Sequence, residues 1–314
     1  MKNSAIGIFG REDDPEVDLL KRRIEDLGAR AAVIDLCDFP KFTKGTLGRD
    51  AVIYDGTDLS TVDAFYLRQM GYFSPVPQRE FTKEEWAGYF DKFNDVLAEE
   101  REGRSFAESL IQILSAIRPM VNPYEVAFYH KLKAYQYWTL ADKGLPVPDF
   151  LAGNDFFELA KFAESCPSVV KPLVGGFVKR VGREDLEKQK ESLRKRPVLL
   201  QREIKGAAVR SFVLGGRMIG TCETVYGEGG VDSRQDIVAM KRYQLPPEHV
   251  DIPVRACEAL GMIFAGVDML VEEKTGNLFV LECNPAPFFR NFEAQTGLPL
   301  SEELARYLVN EAAL

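Results

Sequence analysis

The chain has 314 residues and a mass of 35.3 kDa, a length that suggests about two domains. Apolar residues make up 46% and charged residues 28%, which excludes a collagen-like, low-complexity or wholly disordered chain. Forty Lys and Arg against 48 Asp and Glu leave a net charge of −8, which argues against sequence-independent nucleic-acid binding but allows a local basic pocket.

Ala5–Phe9 predicts a short strand, followed by a turn around Gly10–Pro15. Val17, Leu19, Leu20, Ile24 and Leu27 then recur at helical spacing up to Gly28. Ala31–Leu36, Ala51–Tyr54 and Ala64–Leu67 predict three more strands, so the chain opens as α/β. Gly10 stands without a GxGxxG, which speaks against a dinucleotide-binding oxidoreductase. Glu84–Arg101 predicts a long helix with Trp86, Phe90, Phe93, Val96 and Leu97 on one face, and Ser105–Ile117 predicts a second. Met120–Val121 is a short strand stopped by Asn122–Pro123, and a domain boundary is expected there, giving 1–121 and 122–314.

Lys131–Lys143 predicts a helix that closes at Gly144, after which Pro146 and Pro148 hold the chain extended. Asp155–Glu164 predicts a short helix capped by Asn154. Ser168–Val174 is a strand with Lys171 inside it, and the charge-dense Lys179–Arg196 predicts a solvated surface helix. Val198–Gln201, Val209–Leu214 and Met218–Thr224 predict strands, the last two joined through Gly215–Gly216. Ile252–Leu260 predicts a helix, Ala265–Val271 and Leu278–Glu282 pair across a turn at Lys274–Asn277, and Ser301–Asn310 predicts a final helix. The five cysteines, at 37, 166, 222, 257 and 283, are scattered and without a CxxC, and the two histidines make a His-based metal centre improbable. With no signal-peptide core and no apolar run of ~18 residues, the expectation is a reduced, cytoplasmic protein without a membrane segment.

Chemistry concentrates between Gly266 and Asn284. Glu282 and Asn284 are two apart in one strand and share a face, and Asp268 joins them from the neighbouring strand. Two carboxylates and an amide oxygen form a hard ligand set suited to Mg²⁺, with waters and nucleotide phosphates completing it. The plain alternative is acids facing solvent at strand ends. Lys171 interrupts the apolar run Val169–Leu173, where an unpaired ammonium is costly, so it needs a phosphate or an internal acid. Gly175–Gly176 follow it as a loop able to approach phosphate. Arg210 lies within an apolar strand, Arg234 on a polar segment after Gly227–Gly230, and Arg290 close to the acidic cluster, all suited to an anion. Cys283 has the parity of the opposite face and is expected in the core.

Residues 122–308 resemble the ATP-grasp superfamily, most closely its RimK-type carboxylate–amine ligases and, in motif wording, the graspetide (microviridin-type) peptide ligases. Asn122–Pro123, Lys133, Gly144 and Pro148 resemble the opening segment that supplies the first ATP lysine, and VVKPLVGG the strand that supplies the second, Lys171. LLQREIKG resembles the inter-lobe hinge that reads adenine, implicating Gln201, Glu203 and Ile204. Arg210 falls at the phosphate-side arginine, and GVDMLVEEKTGNLFVLECNPAP resembles the paired metal strands, with Asp268, Glu282 and Asn284 as ligands. FEAQTGLPLSEELARYLV resembles the closing segment, and DSR at 232–234 a D-W-R element of the peptide ligases.

The resemblance implies a pre-ATP-grasp α/β domain at 1–121 followed by a two-lobed ATP-grasp domain, with a central lobe over 122–200 and a C-terminal lobe over 201–314. It implies ATP with Mg²⁺ or Mn²⁺, and a ligase that activates a carboxylate as an acyl phosphate for capture by an amine or hydroxyl, with a peptide among the substrates and a homodimer compatible. Three departures stand out. Ala208 replaces the family's acid two residues before the arginine, the Gly loop is short, implying either a looser grip on the γ-phosphate or compensation by Lys179 and Arg180, and Phe288–Phe289 predicts an apolar acceptor pocket. The alternative readings are a non-catalytic ATP-binding regulator and a phosphotransferase on the same fold.

Overall fold

A computed structural model describes residues 4–37, 39–70, 82–175, 178–227 and 237–312. Two compact units divide the chain, Met1–Tyr124 with Leu304–Leu314, and Glu125–Glu303. In the first, β1 (Ala5–Phe9), α1 (Pro15–Asp26) and β2 (Arg30–Ile34) form a parallel strand–helix–strand start. Asp14 caps α1, its carboxylate accepting from the Glu16 N–H, with Pro15 inside the first turn. A small antiparallel sheet follows from β3 (Gly45–Gly48), β4 (Ala51–Tyr54) and β5 (Thr57–Asp58). The chain returns as β6 (Ala64–Leu67), then α2 (Lys83–Asp91), α3 (Phe93–Ile117) and β7 (Met120–Val121), giving the parallel order β2-β1-β6-β7. The helical stretch breaks at Lys92 rather than between Arg101 and Ser105. A capping box of Thr82 and Glu85 starts α2, while Ala107, Leu110, Ile111 and Leu114 carry α3 unbroken along its buried face.

The second unit starts with a 3-10 segment over Tyr124–Lys131, of which Glu125 onward belongs to it, and then α4 (Lys133–Asp142). Next come β8 (Phe150–Gly153), α5 (Phe156–Ser165), β9 (Ser168–Pro172), β10 (Lys179–Val181), α6 (Arg183–Lys188), α7 (Lys190–Leu193) and β11 (Val198–Arg202). Their strands order as β10-β9-β11-β8, with Phe156, Leu159, Leu186, Leu193 and Leu200 packed on one side. The cap of α5 is Asp155, not Asn154, because its carboxylate accepts from the Phe157 and Glu158 N–H groups. Lys179–Arg196 is not one surface helix. Its first residues pair with β9, and Leu186 and Leu193 are buried, each on its own short helix.

The remaining elements are β12 (Gly206–Leu214), β13 (Arg217–Tyr226), β14 (Ile237–Arg242), α8 (Ile252–Ala259), β15 (Phe264–Glu272), β16 (Leu278–Asn284), α9 (Arg290–Thr296) and α10 (Leu300–Glu311). Their antiparallel sheet runs β14-β13-β12-β15-β16. The β12–β13 turn has φ 55° at Gly215 and 74° at Gly216, the left-handed pair that a two-residue hairpin of this kind requires. One face of the sheet packs Val209, Val213, Val267, Met269, Val280 and Cys283 against Leu140 of α4 and Ala256, Cys257 and Leu260 of α8. The opposite face carries the polar residues.

Candidate functional site

Three adjoining strands set the polar row. Asp268 on β15 lies directly opposite Arg210 on β12 and Glu282 on β16, and Asn284 follows opposite Gly266. That arrangement depends on a bulge. Met269 pairs with Val280 while Asp268 pairs with Glu282, so Leu281 is an extra residue in β16. Regular pairing would have set Leu281 against Asp268 and turned Glu282 toward Val267 and the core. The bulge restores the parity that places Cys283 in the core, 0% exposed, and its two neighbours on the polar face.

Arg210 donates from Nε to Asp268 Oδ1 at 2.5 Å and from Nη2 to Oδ2 at 2.8 Å. Asn284 Nδ2 also donates to Oδ2, at 2.9 Å. Burial works against the Arg210 charge, but the Asp268 carboxylate outweighs it and holds the guanidinium protonated. The guanidinium lies over the Phe292 ring, 5.1 Å from its centroid. Glu282 is pushed above the usual carboxylate range by burial, with Lys133 opposing and Asp268 reinforcing the rise.

Two ammonium groups converge on this row. Lys133, buried on the first turn of α4, lies 3.7 Å from Glu282 Oε2 and 3.5 Å from the Gly175 carbonyl. Lys171 on β9 pairs with Leu199 of β11, which makes Gln201 its diagonal neighbour, and its Nζ donates to Gln201 Oε1 at 2.6 Å. Burial lowers Lys171 to about 8, and the nearby positive charge of Lys133 adds to this against the pull of Glu282 and Asp268.

The hinge is less open than the motif suggests. The Glu203 N–H donates to the Pro167 carbonyl at 2.8 Å, and its carboxylate accepts from Arg180 Nε at 2.7 Å. Arg180 is therefore tied to Glu203, while Lys179 is exposed; Ile204 is buried. The Gln201 side chain holds Lys171 rather than facing outward.

Arg290 is the exposed first residue of α9, and Arg234, DSR at 232–234 and Gly176 lie outside the described residues. Phe288 and Phe289 lie in different surroundings. Phe289 is fully buried beside Phe264, at 6.3 Å between centroids, and only Phe288 is exposed.

Sequence reasoning passed over two residues of α4. Gln136 is 1% exposed and bonds to the backbone of Cys283, and the Tyr137 hydroxyl donates to Gln201 Oε1 at 2.7 Å. The signal was available as Lys133, Gln136 and Tyr137 at positions i, i+3 and i+4, one polar face of the predicted helix.

The donor set fits a hard divalent cation. Among the described residues Asp268 Oδ1 accepts only from Arg210, so it keeps a lone pair, and Glu282 supplies the second carboxylate. Among the described residues no group of three or more His, Cys, Asp or Glu converges, so the protein alone offers a partial shell of the kind Mg²⁺ completes with water and phosphate. No helix among the described residues is long and apolar enough to cross a membrane.

A family model described as the RimK-like ATP-grasp domain matches residues 130–308. A "Probable alpha-L-glutamate ligase 1" of Shewanella sp. (strain MR-4) is 29% identical over 189 residues, covering 57% of this chain and 62% of the relative. A "Probable alpha-L-glutamate ligase" of Picosynechococcus sp. is 30% identical over 194 residues, covering 58% and 64%. The chain thus spans less than two thirds of the length of these curated relatives. Along 99% of both chains the fold matches the ATP-grasp ligase PsnB, solved with a phosphomimetic variant of its minimal precursor, Mg and ADP, at a TM-score of 0.85 and 26% identity. The macrocyclase MdnC of Microcystis aeruginosa MRC, bound with precursor peptide MdnA, shares the fold at a TM-score of 0.76 and 21% identity, covering 98% of this chain and 99% of MdnC.

Proposed function

The chain belongs to the RimK-like ATP-grasp family, and from that premise we propose that it is an ATP-dependent ligase joining a carboxylate to an amine or hydroxyl through an acyl phosphate. The observation that carries this reading is the meeting of Lys133, Lys171 and Arg210 with Asp268, Glu282 and Asn284 on one polar surface. Asp268, Glu282 and Asn284 would hold Mg²⁺ or Mn²⁺. When bound, the metal supplies charge neutralisation to the nucleotide phosphates.

Lys171 and Lys133 bind the phosphates as point charges. Arg210 commits Nε and Nη2 to Asp268, which leaves its other N–H donors for the transferred phosphoryl group. Because the Glu203 N–H already serves Pro167, adenine recognition falls to the Glu203 carbonyl and the Ile204 peptide. The substrate carboxylate attacks the γ-phosphorus, the bond to the β–γ bridging oxygen breaks, and ADP leaves. The acceptor then attacks the acyl carbon, the acyl–phosphate C–O bond breaks, phosphate departs and the acceptor's proton passes to solvent or phosphate. Positioning and charge carry both steps, and no side-chain nucleophile is required.

The finer reading is a peptide substrate. It is supported by the fold match to PsnB with its minimal precursor and by the DSR element containing Arg234, with Arg290 as a further anion contact. The test is an ADP-release screen against pooled carboxylates and amines, including peptides, followed by mass spectrometry for loss of one water. Release that requires both an acid and an acceptor is expected. Nucleotide binding with no ADP release from any pair would instead leave the non-catalytic ATP-binding regulator.

A further inference from the structure

Strand β16 is the outer strand of its sheet, and the N–H and C=O of Cys283 both bond to a side chain outside the sheet. Left unpaired, groups of this kind next to a bulge leave a strand free to slip or twist. Here the side-chain amide of Gln136 takes the place of a neighbouring strand. Its Oε1 accepts from the Cys283 N–H at 2.8 Å, and its Nε2 donates to the Cys283 carbonyl at 3.2 Å and to the Tyr129 carbonyl at 2.7 Å. Two carbonyls and one N–H around one amide permit a single orientation, since turning it over would face its oxygen toward both carbonyls. Cys283 is the residue between Glu282 and Asn284.

One helical step further, the Tyr137 hydroxyl donates to Gln201 Oε1, the same atom that accepts Lys171 Nζ. Burial raises the Tyr137 phenol, with Glu282 reinforcing it, so it stays a donor. The Tyr137 ring packs on Phe150 at 5.0 Å between centroids.

We propose that Gln136 and Tyr137 are separate positioning residues on one face of α4, Gln136 clamping the metal-ligand strand at Cys283 and Tyr137 orienting Lys171 through Gln201. The inference rests on the metal and nucleotide roles proposed above. Gln136 acts chiefly through the metal ligands, and Tyr137 chiefly through the nucleotide lysine Lys171, because their bonds go to different strands.

The test measures ADP affinity by calorimetry with Mg²⁺ and with EDTA on the full chain. The ratio of the two is the metal coupling. Gln136→Met should cut that ratio roughly ten- to hundredfold, the range for residues that orient metal ligands, with ADP affinity in EDTA within about twofold of wild type. Tyr137→Phe should do the reverse, weakening ADP in EDTA several-fold with the ratio preserved. Gln136→Glu gives a readout that packing damage does not share. As a neutral acid it can donate to the Cys283 carbonyl and accept from its N–H, so its coupling, scaled to wild type at each pH, should recover from about pH 8 to about pH 6. Unchanged coupling in Gln136→Met, or a Gln136→Glu ratio indifferent to pH or unfolded throughout, would overturn the inference. A wild-type protein whose ADP affinity ignores Mg²⁺ would instead sink the metal reading itself.

Discussion

Lys171 shares one acceptor, Gln201 Oε1, with a tyrosine, and burial has lowered it to about 8. A phosphate nearby favours the ammonium and raises that value, so nucleotide binding takes up a proton where free Lys171 is neutral. ADP affinity should therefore be full below about pH 8 and decline as pH rises through it, levelling off above the value in the complex. Calorimetry across this range checks the slope, and a flat profile would remove Lys171 from the phosphate site. Lys171→Ala should weaken ADP by about 1.5–3 kcal/mol, the scale of a charge-assisted bond. Glu282→Gln should abolish metal-dependent turnover while the thermal transition is retained, because the side chain ends a strand outside the apolar cluster. Wild-type-like turnover in that variant would exclude Glu282 as a ligand. These single residues were legible because a charge inside an apolar run demands a partner. Gln136 and Tyr137 were not, since a neutral polar group on a helix carries no such demand until its neighbours are known.

Most strands of the second unit follow from apolar runs and turn residues, but the register that makes the site does not. The sequence Leu278–Asn284 has no glycine or proline to mark a bulge, and only the pairing of Met269 with Val280 reveals that Leu281 is extra. The close approach at Gly266 is likewise tertiary. A Cβ there would stand 2.8 Å from Pro287 Cβ and 3.5 Å from Arg210 Cδ. Gly266→Ala should cost about 1–3 kcal/mol by overpacking and lower turnover by shifting Arg210 off Asp268. Gly153→Ala, where nothing lies within 4 Å, is the matched control. Equal melting temperatures for the two variants would show that Pro287 yields without cost. The helix break at Lys92 eluded the pattern for a related reason, because Trp86, Phe90, Phe93 and Leu97 keep helical spacing straight across it.

The whole molecule is acidic, at −8, while its proposed site gathers lysine and arginine. For the peptide substrate proposed above, long-range steering favours a basic one, whose KM should rise with ionic strength. ADP, held by part-buried charges, should respond less. A peptide KM indifferent to salt would make contacts within the site, not the surface field, the determinant of capture. Composition and strand–helix order made the α/β opening legible. The assignment of Leu304–Leu314 to the same unit as Met1–Tyr124 was not, because no local pattern reports a contact made across most of the chain.

That assignment has a consequence for the order in which the protein matures. Leu304 and Leu308 are fully buried and belong to the unit begun at the N-terminus, yet a ribosome delivers them only after all of residues 125–303. At ~5–20 residues per second the N-terminal unit waits on the order of ten seconds or more for its last segment. The unit that carries Lys133, Lys171, Arg210 and Asp268 is complete in sequence before then. During synthesis the half proposed to bind nucleotide is thus complete in sequence first, and the half that holds residues 1–124 is completed last.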